Sequence, residues 1–203
     1  MKVLVACEFS GVVRRAFRAM GHEAWSCDLL PAEDLLVTEG GAPHHIHGDV
    51  RDIIASGWDM MIAHPPCTHL AVSGARHFAQ KRNQQWMALG FVWRLLFSSI
   101  PRVCLENPVG IISSRIRKPD QIIQPYQFGE DASKKTCLWL RGLPKLQPTS
   151  LIAPRTAPDG KPRWANQTDS GQNRLGPSDD RWMKRSRTYE GIANAMAAQW
   201  GAS

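Results

Sequence analysis

The amino-terminal stretch sets the strongest limit on the fold. Val3 to Ala6 is a short apolar strand, Glu8-Phe9-Ser10-Gly11 is a turn, and Val12 to Met20 follows as a helix with apolar residues at Val13, Ala16, Phe17 and Met20. That i, i+3, i+4, i+7 spacing is helical. Gly21 ends the helix, and Glu23 to Cys27 predicts a second strand ending at Asp28. Strand, turn, helix and strand in that order open an α/β sheet, whose ligands bind beyond the carboxyl ends of the strands. With 203 residues the chain can bury a core of its own, and its 43% hydrophobic content opposes wholesale disorder.

Further along, Leu29 to Gly48 reads as irregular and Arg51 to Ser56 as a short helix. Trp58 to Ala63 is an apolar run that predicts a buried strand, Gln84 to Ser99 a long helix, and Arg102 to Leu105 another strand. Gln121 to Phe128 and Thr136 to Leu140 read as two more. After Pro144 the character changes: Pro144, Pro148, Pro154, Pro158, Pro162 and Pro177 oppose regular structure in a stretch rich in polar and basic residues. Glu190 to Trp200 closes the chain as a helix. We therefore expect one folded body over residues 1–143 and 189–203, with 144–188 an irregular basic segment. No apolar run approaches the roughly 18 residues of a membrane span. The start of the chain runs straight into Glu8, which suits a strand better than a signal peptide. The five cysteines are scattered with no Cys-x-x-Cys pair, which argues against a disulfide framework and suits a reducing, cytoplasmic setting.

Two short signals carry chemistry. In Ala63-His64-Pro65-Pro66-Cys67 the two prolines cannot continue a central strand, so Cys67 falls on a loop just beyond a strand end, where such sheets bind ligands. Glu106 follows the strand Arg102 to Leu105. A thiolate at one strand end and a carboxyl group at another are what a pyrimidine needs to react at C5. Sulfur adding to C6 breaks the aromaticity, a carboxyl at N3 and the exocyclic amine supports the charge in the ring, and C5 becomes enamine-like. Cys7, Cys27, Cys104 and Cys137 lie in or beside apolar runs and read as small core residues. His44-His45-Ile46-His47 crowds three histidines into one short stretch, a poor geometry for a single ion, and no metal is expected. His64 reads as a strand-end contact rather than a base. Trp86 and Trp93 read as core.

The order of these motifs resembles that of the DNA (cytosine-5) methyltransferase family, in particular the compact forms carried by bacteriophages. The resemblance spans most of the chain. Phe9-Ser10-Gly11 resembles the family's Phe-x-Gly motif at the methionine end of the cofactor. Asp28 resembles the acidic residue that binds the ribose hydroxyls, and Gly48-Asp49-Val50 the motif whose Asp contacts the adenine. Pro65-Pro66-Cys67, with Ser73-Gly74 after it, resembles the nucleophile loop. Glu106-Asn107-Pro108 resembles Glu-Asn-Val with proline in the last place. Gln127-Phe128-Gly129 with Lys134-Lys135-Thr136 resembles the motif that supplies Arg-x-Arg, and Asn194-Ala195 resembles part of the Gly-Asn-Ala motif that closes the cofactor pocket. The resemblance implies a Rossmann-like class I methyltransferase sheet with helices on both faces. It implies S-adenosylmethionine as cofactor, held by Phe9, Ser10, Gly11, Asp28, Asp49, Val50, Pro65 and Asn194, with Cys67 and Glu106 catalytic. The sequence departs from the family in three places. Val12-Val13-Arg14 stands where further glycines are usual, Lys134 and Thr136 replace the two arginines, and the large recognition domain is absent. With residues 1–143 and 189–203 as the catalytic domain, the last departure leaves 144–188 as a minimal recognition region and implies a short or relaxed sequence context.

A formal net charge of +7 favours a polyanionic partner. DNA is the expected partner, with the target base flipped out of the duplex. Thr68 to Asn83, holding Ser73, Gly74, Arg76, Lys81 and Arg82, is the loop expected to close over that base. Lys134 and the cluster Lys184-Arg185-Ser186-Arg187 are expected to meet phosphates. Other readings are separable from this one. The same ring chemistry could act on a free pyrimidine nucleotide with another one-carbon donor. An idle DNA-binding protein could sit on a methyltransferase scaffold. Amino-group methylation would want an aromatic residue where Cys67 stands.

Overall fold

The computed structural model describes residues 1–36, 44–72 and 82–202. Seven strands form one sheet: β1 (Lys2–Ala6), β2 (Glu23–Asp28), β3 (His45–His47), β4 (Met60–Ala63), β5 (Arg102–Pro108), β6 (Gln121–Ile123) and β7 (Thr136–Arg141). Their spatial order is β3-β2-β1-β4-β5-β7-β6. Strands β1 to β5 pair in parallel, while β7 runs antiparallel to both β5 and β6. The chain builds outward from β1 to β3 on one side and from β4 on the other. The order therefore switches between β1 and β4, the point where open sheets of this kind form a ligand crevice.

The central strands are apolar on both faces because both faces are covered. Val3 and Val5 of β1 face the core formed with α1 (Val12–Ala19) and α6 (Glu190–Gly201), through Val13, Phe17, Ile192, Met196 and Trp200. Leu4 and Ala6 point the other way, toward α2 (Val50–Ile53) and α3 (Arg82–Leu96), through Val50, Leu89, Val92 and Leu95. The short α4 (Ile112–Arg115) follows β5 and buries Ile112 in that second core. This is an α/β architecture with a mostly parallel sheet between helical layers.

Four expectations need correction. The stretch from Leu29 to Gly48 holds a 3-10 turn, Glu33–Leu36, and the edge strand β3. Its histidines serve the fold: His45 shares a hydrogen bond with Ser26 Oγ at 2.8 Å, and His47 Nε2 lies 2.9 Å from the Leu29 carbonyl. The strand β5 does not stop at Leu105 but continues through Glu106 to Pro108, because β7 pairs with it that far. The stretch Gln121 to Phe128 is not one strand: Pro125 ends it, and Pro125–Gln127 forms a 3-10 turn. Trp86 and Trp93 are exposed on α3 rather than buried.

The proline-rich segment is tied to the body. It contains a small ribbon, β8 (Arg155–Thr156) with β9 (Pro162–Arg163), and a short helix α5 (Arg181–Ser186). Trp164 stacks on Tyr126 with ring centroids 4.3 Å apart, and Asn166 exchanges two hydrogen bonds with the Ser133 backbone. Among the described residues no helix is long and apolar enough to cross a membrane.

Candidate active site

The crevice at the sheet's switch point is built from the ends of β1, β4 and β5. His64 N–H donates to the Ala6 carbonyl and prolongs the β1–β4 ladder by one residue. Pro65 and Pro66 then lift the chain out of the sheet. The turn is closed by the Leu70 and Ala71 amides, which both donate to the Cys67 carbonyl at 2.9 Å. Gly110 lets the segment after β5 lie against this loop, since a Cβ there would sit 2.1 Å from the Leu70 carbonyl oxygen. The result is an exposed Cys67 thiol at a cavity of about 100 Å³, which Glu106, His64, Asn107 and Lys134 also line.

Glu106 points into this cavity from within β5. Its carboxylate lies 3.0 Å from His64 Nδ1, with both side chains nearly buried. Burial pushes its pKa up, but the hydrogen bond and charge of His64, helped by Lys134 and Thr136, outweigh that and hold it below the ordinary glutamate value. Next to it, Asn107 is buried and donates from Nδ2 to the Pro65 carbonyl at 2.8 Å. Both residues line the cavity: Glu106 brings its carboxylate to it, and Asn107 also fastens the Pro-Pro-Cys loop to β5. The Cys67 thiol is raised, first by its partial loss of hydration and then by the Glu106 charge, against the opposing charges of Lys134 and Arg185.

A second cleft, of about 270 Å³, opens beyond β2 and β3. Asp28 and Asp49 bring carboxylates to it, and Val50, Met87 and Phe91 bring apolar walls. Cys7 and Pro66 line both clefts and form the partition between them. Cys7 is thus not the core residue its apolar neighbours suggested; it is half-buried and has a positive φ of 58°. That bend turns the chain so that Glu8 caps α1, accepting from the Val13 amide at 2.6 Å and from the Arg14 amide at 3.2 Å. Phe9 is buried at the rim of the first cavity with Ser10. Gly11 adopts φ 69°, and a side chain there would collide with Arg14 and Asp34, which form an ion pair across it. Arg14 also donates to Ser26 Oγ at 2.7 Å. Arg14 thus lies buried across the turn, held by Ser26 of β2 on one side and Asp34 on the other.

The remaining site candidates divide. Asp28 accepts from the Leu30 amide at 2.9 Å and is raised by burial. Asp49 caps α2, and its hydrogen bonds with Arg51 lower its carboxyl to about 2. Val50 is both core and cleft wall. Asn194 is exposed on α6 and lines none of these clefts, so the structure does not bring it to the others. Arg82 is exposed at the start of α3. Ser73, Gly74, Arg76 and Lys81 lie outside the described residues.

The basic cluster of α5 lies over the first cavity. Lys134 Nζ donates to the Arg185 carbonyl at 2.8 Å, Arg187 pairs with Glu33 at 2.8 Å, and Trp182 meets Phe9 with ring centroids 6.0 Å apart. These contacts strap residues 181–188 across the crevice. Lys184 pairs with Asp180, while Arg185 has no carboxylate partner among the described residues. Beside the cavity a groove of about 390 Å³ is lined by Lys134, Lys135, Lys184 and Arg185, with Gln167 and Asn173 of the proline-rich segment on its far side. The sequence reading missed Cys7, Glu8, His64 and Lys135 as site residues; only the strand-end positions of the first three offered a signal.

No family model matches the chain, and no curated protein sequence matches it. Among solved structures it is similar to the crystal structure of a presumed DNA modification methyltransferase encoded within an E. coli prophage, at 15% identity and a TM-score of 0.47. The match covers 74% of this chain and 51% of that one, so the chain spans about half the length of that protein.

Proposed function

We propose that this chain methylates cytosine at C5 in DNA, with S-adenosylmethionine as methyl donor, through a transient bond between Cys67 Sγ and C6 of a flipped base. The observation that carries the reading is the joint placement of Cys67 and Glu106 on one small cavity at the sheet's switch point, separated by Cys7 and Pro66 from a second cleft with apolar walls and two carboxylates. A class I methyltransferase sheet accords with the switch point between β1 and β4.

The residues of the second cleft fit the cofactor. Val50, Met87 and Phe91 offer surfaces to an adenine, and Asp28 and Asp49 offer acceptors to hydroxyl and amino groups. The amino end of α1, where dinucleotide folds hold a pyrophosphate, is taken by the Glu8 carboxylate. A cofactor without phosphate there suits this chain, and a dinucleotide does not. When bound, S-adenosylmethionine supplies an electrophilic methyl group.

The chain's own residues supply the rest. Cys67, its proton released to solvent, adds to C6 as thiolate, and Glu106, once it has taken up a proton, passes that proton to N3, so that C5 gains the nucleophilic character aromatic cytosine lacks. The Glu106 charge disfavours the thiolate, and a proton on Glu106 removes that opposition. After C5 has been methylated its proton leaves to solvent, the C5–H electron pair becomes the C5–C6 double bond, and the C6–S bond breaks to return the thiolate. Lys135 lines the groove beside the cavity and Arg185 lines both, and they suit the phosphates next to the base.

The test is covalent trapping. DNA with 5-fluorocytosine in place of cytosine, incubated with the protein and S-adenosylmethionine, is expected to give a complex stable to denaturant, because fluorine blocks the final elimination. Cys67→Ser is expected to abolish both the adduct and methyl transfer to ordinary DNA. Binding without any adduct, or full turnover by the serine variant, would overturn the reading.

A further inference from the structure

His64 has a different standing in the structure from the strand-end contact its sequence suggests. Its backbone is fixed in the β1–β4 ladder through the Ala6 carbonyl. Its Nδ1 lies 3.0 Å from Glu106 Oε2, and its side chain is only 10% exposed. Its Nε2 is buried without a hydrogen-bond partner among the described residues. A buried polar atom left unpaired is destabilising, and an amide side chain could hold Glu106 with one N–H. Imidazole differs from an amide in that it can take up and release a proton. Two carboxylates act on the ring: Glu106, which it touches, and buried Glu8, whose charge couples to it. Lys134 is the cation that acts on Glu106 from the strap side, and Cys67 and Arg185 share the cavity.

We propose that His64 is the positioning residue of this site, holding Glu106 toward the cavity and supplying the proton that Glu106 gives to the substrate ring. The inference rests on the pyrimidine reading above. The imidazolium releases its Nδ1 proton to Oε2, which makes Glu106 a neutral acid. As the sulfur–C6 bond forms, the electron pair displaced from the ring's double bonds reaches N3, and N3 takes that proton. The carboxylate is restored, and the imidazole keeps its other proton on Nε2. When the sulfur–C6 bond breaks, the proton returns from N3 by the same route. The relay thus ends as it began, and the one proton released per turnover is that of C5, which goes to solvent.

Two measurements on the full chain test this. The first records the ring nitrogens of His64 by NMR in the wild type and in Glu106→Gln. Loss of the carboxylate is expected to move the Nδ1 resonance and leave Nε2 nearly in place, because only Nδ1 touches Glu106. An unmoved Nδ1 resonance would overturn the contact whatever the activity. The second compares methyl transfer by the wild type, His64→Asn and His64→Gln. Asparagine keeps an N–H donor near Nδ1 but cannot relay a proton. Its kcat is expected to fall about 100-fold, with the KM for DNA within about twofold and the acid side of the pH profile altered. Wild-type turnover by His64→Asn would reduce His64 to a structural prop. Failure of the wild type to trap 5-fluorocytosine DNA would overturn the pyrimidine reading itself. Trapping by the wild type with an unimpaired His64→Asn would overturn the relay alone.

Discussion

Asn107 shows how much of this site depends on one side chain that touches no reacting atom. Its Nδ2 satisfies the Pro65 carbonyl, which is needed because a proline pair leaves the loop few backbone donors. Asn107→Ala is expected to destabilise the protein by about 1–3 kcal/mol, the usual effect of stranding a buried polar group. Urea unfolding measures it, and unchanged stability would mean that the loop holds itself. Glu106 makes a second residue-level statement. Its charge is the second cause, after lost hydration, of the raised Cys67 thiol. Glu106→Gln should therefore lower the pH at which Cys67 is alkylated by iodoacetamide, read by mass spectrometry of the modified peptide. A profile that moves upward would place the carboxylate's influence elsewhere.

Among the elements, the loop after β4 and the segment after β5 are mutually moulded. Gly110→Ala pushes a methyl group into the Leu70 carbonyl. A loss of about 1–3 kcal/mol in chemical unfolding is expected, as for other overpacked sites. The strap behaves differently. Arg187 and Glu33 are partly exposed, so Arg187→Ala should change stability by no more than about 1 kcal/mol. It should instead speed proteolytic cutting within residues 181–188, and unchanged cutting would show that Lys134 and Trp182 hold the strap unaided. The elements differ in how well their sequences announce them. The opening β1, α1 and β2 are plain because periodicity and glycine placement are local properties. The strand β3 escaped notice because it has three residues and one apolar side chain, and its pairing is with distant β2. That β5 extends past Glu106 is likewise decided by β7, some thirty residues on. That Cys67 lies beyond a strand end was readable from its two prolines, whereas the meeting of Glu106, His64 and Cys7 with it at one cavity depends on which strands become neighbours. Arg187 has its partner in Glu33, which no local pattern reveals.

For the molecule as a whole, charge sets two measurable responses. Hydrogen bonds from Arg51 hold Asp49 near 2, and the guanidinium groups of Arg14 and Arg15 outweigh burial to hold Asp34 low as well. A carboxyl lowered on folding adds stability above its unfolded value of about 3.9, and that stability is lost as pH falls toward 2. Glu8 and Asp28, raised by burial, act in the opposite sense and favour the folded state as they take up protons. Asp49→Asn should thus flatten the acid side of a stability curve measured by urea unfolding across pH, and a steeper fall would reverse the assignment. The second response is to salt. If Lys135 and Arg185 meet phosphates, each neutral replacement should reduce the slope of log affinity against log salt by about one. Equal slopes for wild type and variants would put the polyanion on another face.

Cys7 and Pro66 have a consequence for inhibitor design, because each lines both clefts. Under the proposed reading, a compound gripping either residue would reach the pyrimidine side and the adenosine side at once.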